Sequence, residues 1–414
     1  MNSPEKNCLL YVHISMEDRP GILAEALQSV VRCQWNVLDI KQFVFNGLLN
    51  LSIFLDCNDA NAIEPLRMAL GEFEERSGLK ISIHPWKKEM CPDEPYKHRS
   101  VVTLLGASIG SDVLLELTQT LASRDINILR IEQLDHSDQH VIEFVIGTRQ
   151  THSGVDVLDA LVLFKEKFQV DLAVQDDTLF RRNKRLIVFD ADMTFLQCEV
   201  IDEMGKLAGV GAEMAEITQL AMTGEMDFKE ALVKRVKLLR GLSEKQLEEL
   251  FERIPLTPGA TDLVTILKYL GYKIAIVSGG FQFFIDKIRA KYGLDYGFAN
   301  QLKIENGKVT GELEGEVIDA LAKERILISL AEKEGFTLKQ VVAVGDGAND
   351  IHMLACAGLG IAFNAKPIVQ KHAHASINRS NLELILYFLG YNGDDLQELR
   401  SFVKRKESLR FPVS

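Results

Sequence analysis

The N-terminal part of the chain carries hydrophobic periodicities that predict an ordered series of strands and helices. Alternation of apolar and polar residues is typical of half-buried strands, and apolar residues three to four positions apart are typical of helices. The predicted elements are strand 9–16, helix 22–33, strands 36–43 and 48–56, helix 60–76 and strand 80–84. This order predicts an antiparallel sheet with two helices on one face.

The same series of elements recurs further along the chain. Its members are strand 101–105, helix 112–124, strands 127–134 and 140–147, helix 155–168 and strand 171–174. The residues repeat as well as the pattern, since Asn36-Val37-Leu38-Asp39-Ile40 is matched by Asn127-Ile128-Leu129-Arg130-Ile131. We therefore expect two α+β domains of one fold, residues 1–88 and 99–180, joined by a charged linker at 89–98.

The rest of the chain has a different pattern, in which short, wholly apolar runs alternate with helical segments. Runs at 186–189, 272–277, 341–344 and 359–363 predict buried strands of a parallel sheet. The helical stretch at about 200–256 follows the first run, and we interpret it as a cap inserted into an α/β domain at 181–395. The basic run 181–185 is interpreted as a solvated linker and 396–414 as a C-terminal tail, whose basic residues Lys404-Arg405-Lys406 are expected to be frayed.

Polar residues follow these predicted strands at their carboxyl ends, where open α/β sheets bind ligands. They are Asp190, Asp192 and Thr194 after the first strand, Ser278-Gly279-Gly280 after the second, and Asp346 and Asp350 after the third. Carboxylates that lie close together repel unless a cation lies between them, and hard oxygen ligands suit Mg²⁺. A hydroxyl group followed by flexible glycines suits a phosphate. The glycines on each side of Asp346 are expected to let the backbone turn sharply there.

Composition and charge narrow the classes of protein that fit. The chain has 414 residues with 47% hydrophobic and 26% charged residues, which predicts two or three folded domains. The formal net charge of −12 argues against nucleic acid or an anionic membrane as the main partner. No signal peptide or membrane-spanning run is recognisable, and the six scattered cysteines favour a reduced, cytoplasmic protein without structural zinc.

The segment Asp18-Arg19-Pro20-Gly21-Ile22-Leu23, at the first strand-to-helix junction, resembles the signature of ACT domains, which bind amino acids and regulate enzymes. This resemblance implies a ferredoxin-like fold, with Asp18 and Gly21 in a possible effector site. Gly21 would let the backbone approach a ligand, and the helix N-terminus would favour a carboxylate. The second unit has Gly106-Ala107-Ser108-Ile109-Gly110 instead, so its ligand role stays open. An alternative is that both units only dimerise the protein.

The series Asp190-Ala191-Asp192-Met193-Thr194, Ser278-Gly279-Gly280, Lys323 and Gly345 to Asp350 resembles the phosphotransferase branch of the haloacid dehalogenase superfamily, which has a Rossmann-like sheet. Segments 199–203, 222–228, 234–236, 277–281 and 315–317 are similar to the phosphoserine phosphatase family within it. Two ACT units in front are typical of the longer bacterial form. One departure is Met193, where the family commonly has Ser, and we expect it to alter the kinetics slightly.

The resemblance implies a role for each matching residue. Asp190 would attack phosphorus, and Asp192 would donate and later accept a proton. Asp190, the Asp192 carbonyl and Asp346 would hold Mg²⁺. The implied phosphate and substrate contacts are Ser278, Gly279, Lys323, Glu199 for the ammonium, Arg235 for the carboxylate, Asn349, and Met222 and Phe228 as walls, with Thr194 and Asp350 in support.

The function implied by this resemblance is Mg²⁺-dependent hydrolysis of O-phospho-L-serine to L-serine and phosphate, the last step of serine biosynthesis. Serine or another amino acid is the expected effector, and a homodimer is the expected assembly. Two alternatives remain open at this point. The site could transfer the phosphoryl group to another alcohol, or the chain could be an amino-acid sensor with an inactive phosphatase domain.

Overall fold

The computed structural model describes residues 8–57, 60–78, 80–86, 96, 98–135, 139–149, 157–158, 161, 164–165, 167–222 and 225–410. The chain forms two compact units, residues 1–95 and 96–414. Most of the predicted linker 89–98 lies outside the described residues. No helix in the described ranges is both long and apolar enough to cross a lipid bilayer.

The first unit is a four-stranded antiparallel sheet with two helices. Its elements are β1 (Cys8–Glu17), α1 (Ile22–Arg32), β2 (Asn36–Phe45), β3 (Leu48–Cys57), α2 (Ile63–Ser77) and β4 (Lys80–Trp86). The strand order is β2-β3-β1-β4. Alternate residues of β1 and β3 are buried and pack with the apolar faces of α1 and α2. The predicted order of elements is confirmed, and the sheet's apolar face explains why both helices are on one side.

The second unit begins with a repeat of this arrangement. Its elements are β5 (His98–Gly106), α3 (Ser111–Ala122), β6 (Ile126–Asp135), β7 (His140–Thr148) and β8 (Asp171–Asp176). The order β6-β7-β5-β8 reproduces the order in the first unit. The predicted helix 155–168 lies only partly within the described residues.

The α/β half of the second unit, residues 181–414, contributes a mainly parallel sheet flanked by helices. Its strands are β9 (Leu186–Phe189), β10 (Lys273–Phe281), β11 (Tyr296–Glu305), β12 (Lys308–Glu314), β13 (Val341–Gly345), β14 (Leu359–Phe363) and β15 (Ala375–Ile377). The cap helices are α4 (Val200–Leu207), α5 (Gly211–Met222), α6 (Phe228–Leu238) and α7 (Glu244–Phe251). The other helices are α8 (Ala260–Tyr269), α9 (Gln282–Tyr292), α10 (Ala320–Lys333), α11 (Ile351–Cys356), α12 (Pro367–Gln370), α13 (Ile385–Phe388) and α14 (Gly393–Arg410).

The second repeat and the α/β half share one continuous sheet. Strand β15 pairs antiparallel with β8, which gives an eleven-stranded sheet of order β12-β11-β10-β9-β13-β14-β15-β8-β5-β7-β6. The sequence predicts a domain boundary at 180/181, whereas the structure joins both sides of that position in one compact unit. Periodicity locates each strand but carries no information about which edges pair across about 200 residues of sequence.

The C-terminal segment also differs from the prediction. Helix α14 runs across the expected boundary at 395 and continues to Arg410. Leu396, Leu399 and Val403 lie on one face of this helix and are buried in the core of the α/β half. The many charged residues between them conceal this stripe in the sequence, so the prediction that the domain ends at 395 and a tail follows is wrong.

The basic run 181–185 differs as well. Arg181 and Lys184 are only 4% exposed, whereas Arg182 and Arg185 are exposed. Arg181 forms an ion pair with buried Glu143, and Lys184 Nζ donates to the Lys339 carbonyl at 2.7 Å. The interpretation as a solvated linker is therefore wrong for two of its members, because the fold brings them against Glu143 of β7 and the Lys339 carbonyl that precedes β13.

Candidate active site

Asp190 stands at the carboxyl end of the central strand β9 and is 5% exposed. Its Oδ1 accepts hydrogen bonds from the Ala191 N–H at 2.8 Å and from Lys323 Nζ at 2.7 Å. Strand β9 is wholly apolar and lies between β10 and β13, so its end is fixed on both sides. Asp190, the predicted nucleophile, is therefore held in one orientation inside the protein.

Asp192 joins the nucleophile loop to the cap. Its Oδ1 accepts from the Val200 N–H at 2.9 Å, at the start of α4, and its Oδ2 accepts from Ser278 Oγ at 3.3 Å. Met193 follows Asp192 in the loop that leads to the cap. It has a positive φ of 56° and is 45% exposed. The predicted effect of Met193 on the kinetics stays a prediction.

The second loop, at the end of β10, closes tightly around Asp192. The Gly280 N–H donates to Ser278 Oγ at 2.8 Å. A Cβ at Gly280 would lie 2.9 Å from Asp192 Oδ2 and 3.0 Å from Ser278 Oγ, so a side chain there would displace both groups. A Cβ at Gly279 would lie 3.5 Å from Phe228 Cζ, which places the ring of this cap residue over the loop.

The third loop, after β13, brings two more carboxylates to the same place. Asp346 Oδ1 accepts from Thr194 Oγ1 at 3.0 Å, and Asp350 is fully buried with Oδ2 accepting from the Gly347 N–H at 3.0 Å. Neither flanking glycine has a positive φ, so the expected sharp turn is not the reason for them. A Cβ on Gly345 would lie 2.5 Å from the Asp350 carboxyl group, so glycine is needed there because the two groups approach closely.

Lys323 connects the first and third loops. It is 1% exposed, and its Nζ lies 2.7 Å from Asp190 Oδ1 and 2.8 Å from Asp350 Oδ1. Burial opposes its charge, but the carboxylates of Asp190 and Asp350 outweigh burial and raise the pKa of Lys323. The lysine is a fixed cation beside the nucleophile, as the site needs for a transferring phosphoryl group.

The acidic cluster has the composition of a metal site. Carboxylate oxygens of Asp190, Asp346 and Asp350 all lie within 4.8 Å of one another. Burial, followed by the charge of Asp350, raises the pKa of Asp190 well above its usual range and that of Asp346 to about 6. Lys323 compensates only part of this negative charge, so a cation fits here. The side-chain cluster includes Asp350, which the sequence assigns only a supporting role.

The cap brings a cation and an acid toward these loops. Arg235 is half-buried, and its Nε has no hydrogen-bond partner among the described residues. Burial lowers the pKa of Arg235, opposed by Glu199 and Asp202. Glu199 is exposed as a residue, yet the protein around its carboxyl group and the nearby charge of Asp192 raise its pKa to about 7. An unpaired guanidinium donor near the loops is suited to an anionic group.

The other predicted residues have different outcomes. Asn349 is half-buried, with its Oδ1 2.1 Å from the position of a Cβ on Gly347. The side chain of Met222 lies outside the described residues. In the first unit Asp18 is exposed, and Gly21 precedes α1 with a φ of 95°. Only Glu25 Oε1, at 3.7 Å, would approach a Cβ on Gly21, so conformation rather than space requires the glycine.

Sequence reasoning missed Asn300, which is 2% exposed in β11. Its Nδ2 donates to the Gly279 carbonyl at 2.7 Å, and its Oδ1 accepts from the Ile318 N–H at 2.8 Å. Asn300 thereby fixes the loop after β10 relative to the segment that leads to Lys323. No local pattern distinguishes this asparagine, because residue 300 lies outside the strands that the sequence predicts.

Comparison with known proteins finds a family match over the residues that form this site. The family of haloacid dehalogenase-like hydrolases matches residues 187–355, and the ACT domain family matches residues 9–84. The phosphoserine phosphatase of Streptomyces coelicolor is 36% identical over 94% of this chain and 93% of its own length. The chain belongs to the phosphoserine phosphatase family. It is thus a phosphomonoester hydrolase with an N-terminal ACT domain.

Two further relatives cover parts of this phosphatase. The phosphoserine phosphatase of Archaeoglobus fulgidus is 49% identical over 58% of this chain and 70% of its own length. The solved structure of a probable phosphoserine phosphatase from Vibrio cholerae, in unliganded form, is 33% identical with a TM-score of 0.56. It covers 72% of this chain and 88% of its own. The predicted fold class, a haloacid dehalogenase-type domain behind ACT-type domains, is confirmed.

Proposed function

We propose that this phosphatase hydrolyses O-phospho-L-serine to L-serine and phosphate with Mg²⁺, as the last step of serine biosynthesis. The observation that carries the proposal is the convergence of Asp190, Lys323 and the acidic cluster with the unpaired Arg235 Nε of the cap. The first set suits phosphoryl transfer, and the second suits a substrate carboxylate.

The reaction divides into two displacements at phosphorus. Asp190 Oδ attacks, the bond from phosphorus to the serine oxygen breaks, and Asp192 gives its proton to the leaving oxygen. Asp192 then takes a proton from water, whose oxygen attacks the aspartyl phosphate and releases phosphate. Burial raises the pKa of Asp192, which favours the protonated form that the first step needs. Ser278, the Gly279 N–H and Lys323 would hold the transferring oxygens.

The proposed cofactor is Mg²⁺, held by Asp190, the Asp192 carbonyl and Asp346, with Asp350 close by. When bound, this ion would neutralise charge as carboxylate and phosphate approach each other. The number of carboxylates that the chain gathers here argues against an inactive sensor domain. A phosphotransferase is the other candidate, and product analysis with and without an acceptor alcohol separates it from hydrolysis.

Glu199 gives the proposed specificity a pH dependence. Its pKa is raised to about 7, so the carboxylate that would attract the substrate ammonium is lost as pH falls from 8 to 6. We expect the KM for phosphoserine to rise over this interval, and Glu199→Gln to have a high KM without this rise. Steady-state kinetics with phospholactate, which lacks the ammonium, provide the control. An equally steep KM profile in Glu199→Gln would contradict the role.

The first unit is proposed to bind an amino-acid effector, with serine as the first candidate. The exposed loop 18–21 before α1 presents Asp18, whose N–H donates to the Gly47 carbonyl at 2.8 Å and thus links this loop to the turn between β2 and β3. The start of α1 favours a carboxylate. Binding would alter activity only if it favours one state of the enzyme, with a coupling of about 1–3 kcal/mol.

This effector site can be tested separately from catalysis, because residues 1–95 form a compact unit. We expect calorimetric titration of that fragment with L-serine or another amino acid to release heat, and Asp18→Ala to abolish it. Glu75→Ala, at an exposed acidic residue of α2, is the matched control. No heat with any amino acid, together with unchanged kinetics in residues 96–414 alone, would leave a structural role for the first unit.

A homodimer is proposed through strand β2, an edge of the first sheet. All ten residues of β2 are exposed, and Phe43 and Phe45 are 61% and 66% exposed. A long apolar edge strand is an aggregation hazard unless another strand or chain covers it. We expect Val44→Lys on this strand to dissociate the dimer in analytical ultracentrifugation, whereas Met68→Lys on exposed α2 should not. Monomeric wild-type protein at micromolar concentration would contradict this assembly.

The proposed setting is the cytoplasm. Among the described residues, Cys8, Cys33, Cys57, Cys198 and Cys356 are free thiols. Free thiols persist where the cell keeps its proteins reduced.

A further inference from the structure

A cavity of about 250 Å³ lies in the second unit at the junction of its two halves. Strand β8 contributes Gln175 and Asp176, and Thr178 follows it. The run 181–185 contributes Arg181 and Lys184, and His374 directly precedes β15. None of its lining residues belongs to the candidate active site. The buried members of the basic run therefore face a second concave site.

Lys184 is the unusual member of this cavity. It is 4% exposed, and its Nζ uses one donor for the Lys339 carbonyl at 2.7 Å. No carboxylate of the described residues lies within ion-pair distance of that nitrogen. Burial, together with the charge of Arg181, lowers the pKa of Lys184 to about 8. A buried ammonium without a counter-ion is unfavourable, and an anion beside it would remove that penalty.

Two more donors line the same cavity. Arg181 is also 4% exposed; its guanidinium pairs with Glu143, but its Nε has no partner among the described residues. His374 Nδ1 accepts from the Gly360 N–H at 3.0 Å, so its neutral ring carries the proton on Nε2. Burial and the neighbouring Lys184 lower the pKa of His374, which keeps the ring neutral. The cavity thus has an excess of donors.

The acceptors in the cavity are fewer and differ in kind. Among the described lining residues Asp176 is the acidic one, while Lys184 is the buried cation that has no carboxylate within ion-pair distance. Gln175 Nε2 donates to the Phe388 carbonyl at 2.8 Å, while its Oε1 is buried without a partner among the described residues. A buried ammonium that has no carboxylate within ion-pair distance favours an anion in the cavity, and the unpartnered amide oxygen can accept from a donor on the same molecule.

We propose that this cavity binds a small oxyanion, a phosphate or a carboxylate on a molecule no larger than a free amino acid. Lys184 is its counter-ion, and the Arg181 Nε–H and the His374 Nε2–H are its further donors. Because the walls come both from β8 and from Lys339, Gly358 and His374, which precede β13, β14 and β15, occupancy stabilises the junction between them. The proposal does not depend on the substrate of the active site, since the two sites share no residue.

The test compares binding in the full-length protein, treated with EDTA at neutral pH, with Lys184→Met. Calorimetric titrations use inorganic phosphate, L-serine and acetate in separate arms. Phosphate or serine that enters the active site binds wild type and variant alike, so a site lost only in the variant belongs to the cavity. For at least one of the three anions, we expect Lys184→Met to weaken or remove one class of site by at least tenfold.

Arg185→Met is the matched control, because Arg185 is an exposed cation of the same basic run and does not line the cavity. It should leave all binding unchanged. Methionine in place of an unpaired buried cation is neutral or stabilising, so Lys184→Met should fold. If Lys184→Met does not fold, Lys184→Gln is used in the same titrations. Adding the anion should raise the unfolding temperature of the wild type and should raise that of the variant less. Identical sites and affinities in wild type and variant for all three anions would overturn the proposal.

Discussion

Asp190→Asn is expected to lower phosphoserine turnover by at least about 10⁴-fold, because an amide cannot attack phosphorus. Asparagine has nearly the same shape, and Lys323 retains its contact with Asp350 at 2.8 Å. Asp190 is buried beside the charge of Asp350, which raises its pKa well above the unfolded value. Ionised Asp190 therefore destabilises the folded state at neutral pH, and its replacement should not lower the melting temperature.

Three measurements check this expectation: steady-state kinetics, thermal unfolding, and mass spectrometry of protein quenched during turnover. The quenched wild type should carry a phosphoryl group on the peptide that contains Asp190, and the variant should not. Asp286→Asn is the matched control, because Asp286 is half-exposed on α9 and away from the acidic cluster. Near wild-type activity in Asp190→Asn with intact structure would refute the covalent mechanism.

The second large effect is expected from Arg235→Ala. The substrate carboxylate is the proposed partner of its unpaired Nε, and removing one member of a buried charged contact costs about 2–5 kcal/mol. This cost corresponds to a loss on the order of 30- to 5,000-fold in kcat/KM for phosphoserine. Phosphoethanolamine lacks the carboxylate but keeps the ammonium and the phosphate, so its kcat/KM should change much less.

Lys234→Ala is the control for Arg235→Ala. Lys234 is adjacent and exposed, and its Nζ pairs with Glu230 at 2.7 Å on the outer side of α6. It should leave both substrates nearly unaffected, since exposed pairs contribute at most about 1 kcal/mol. If Arg235→Ala reduces turnover of both substrates equally, Arg235 contacts the phosphate or supports the cap, and the proposed basis of specificity fails.

Asp192 connects the cap, which carries Arg235, to the loop that carries Asp190. Asp192 accepts from Val200 in the cap and from Ser278 in the second loop. The cap that carries Arg235 is therefore linked to the loop that carries the nucleophile through one carboxylate. A substrate that engages Arg235 and Glu199 would lie against the same loops, which excludes water during phosphoryl transfer.

The sequence determined the parts of this protein that depend on neighbours along the chain. Short, wholly apolar runs such as β9 favour buried strands, and the alternating strands of the first unit recur in the second with the same order. The carboxyl ends of parallel strands meet at one edge, so Asp190, Ser278 and Asp346 were predicted to converge. The glycines beside Asp346 were visible too, although their reason was not.

The tertiary structure alone decided the features that depend on contacts distant in sequence. The pairing of β15 with β8 fuses two predicted domains, and it buries Arg181 and Lys184 of a run that looks solvated. Asn300 becomes important only where its amide meets the Gly279 carbonyl and the Ile318 N–H. Periodicity records whether a residue faces a core but not which partner it meets there, and partner choice is set by packing and hydrogen bonding across the whole fold.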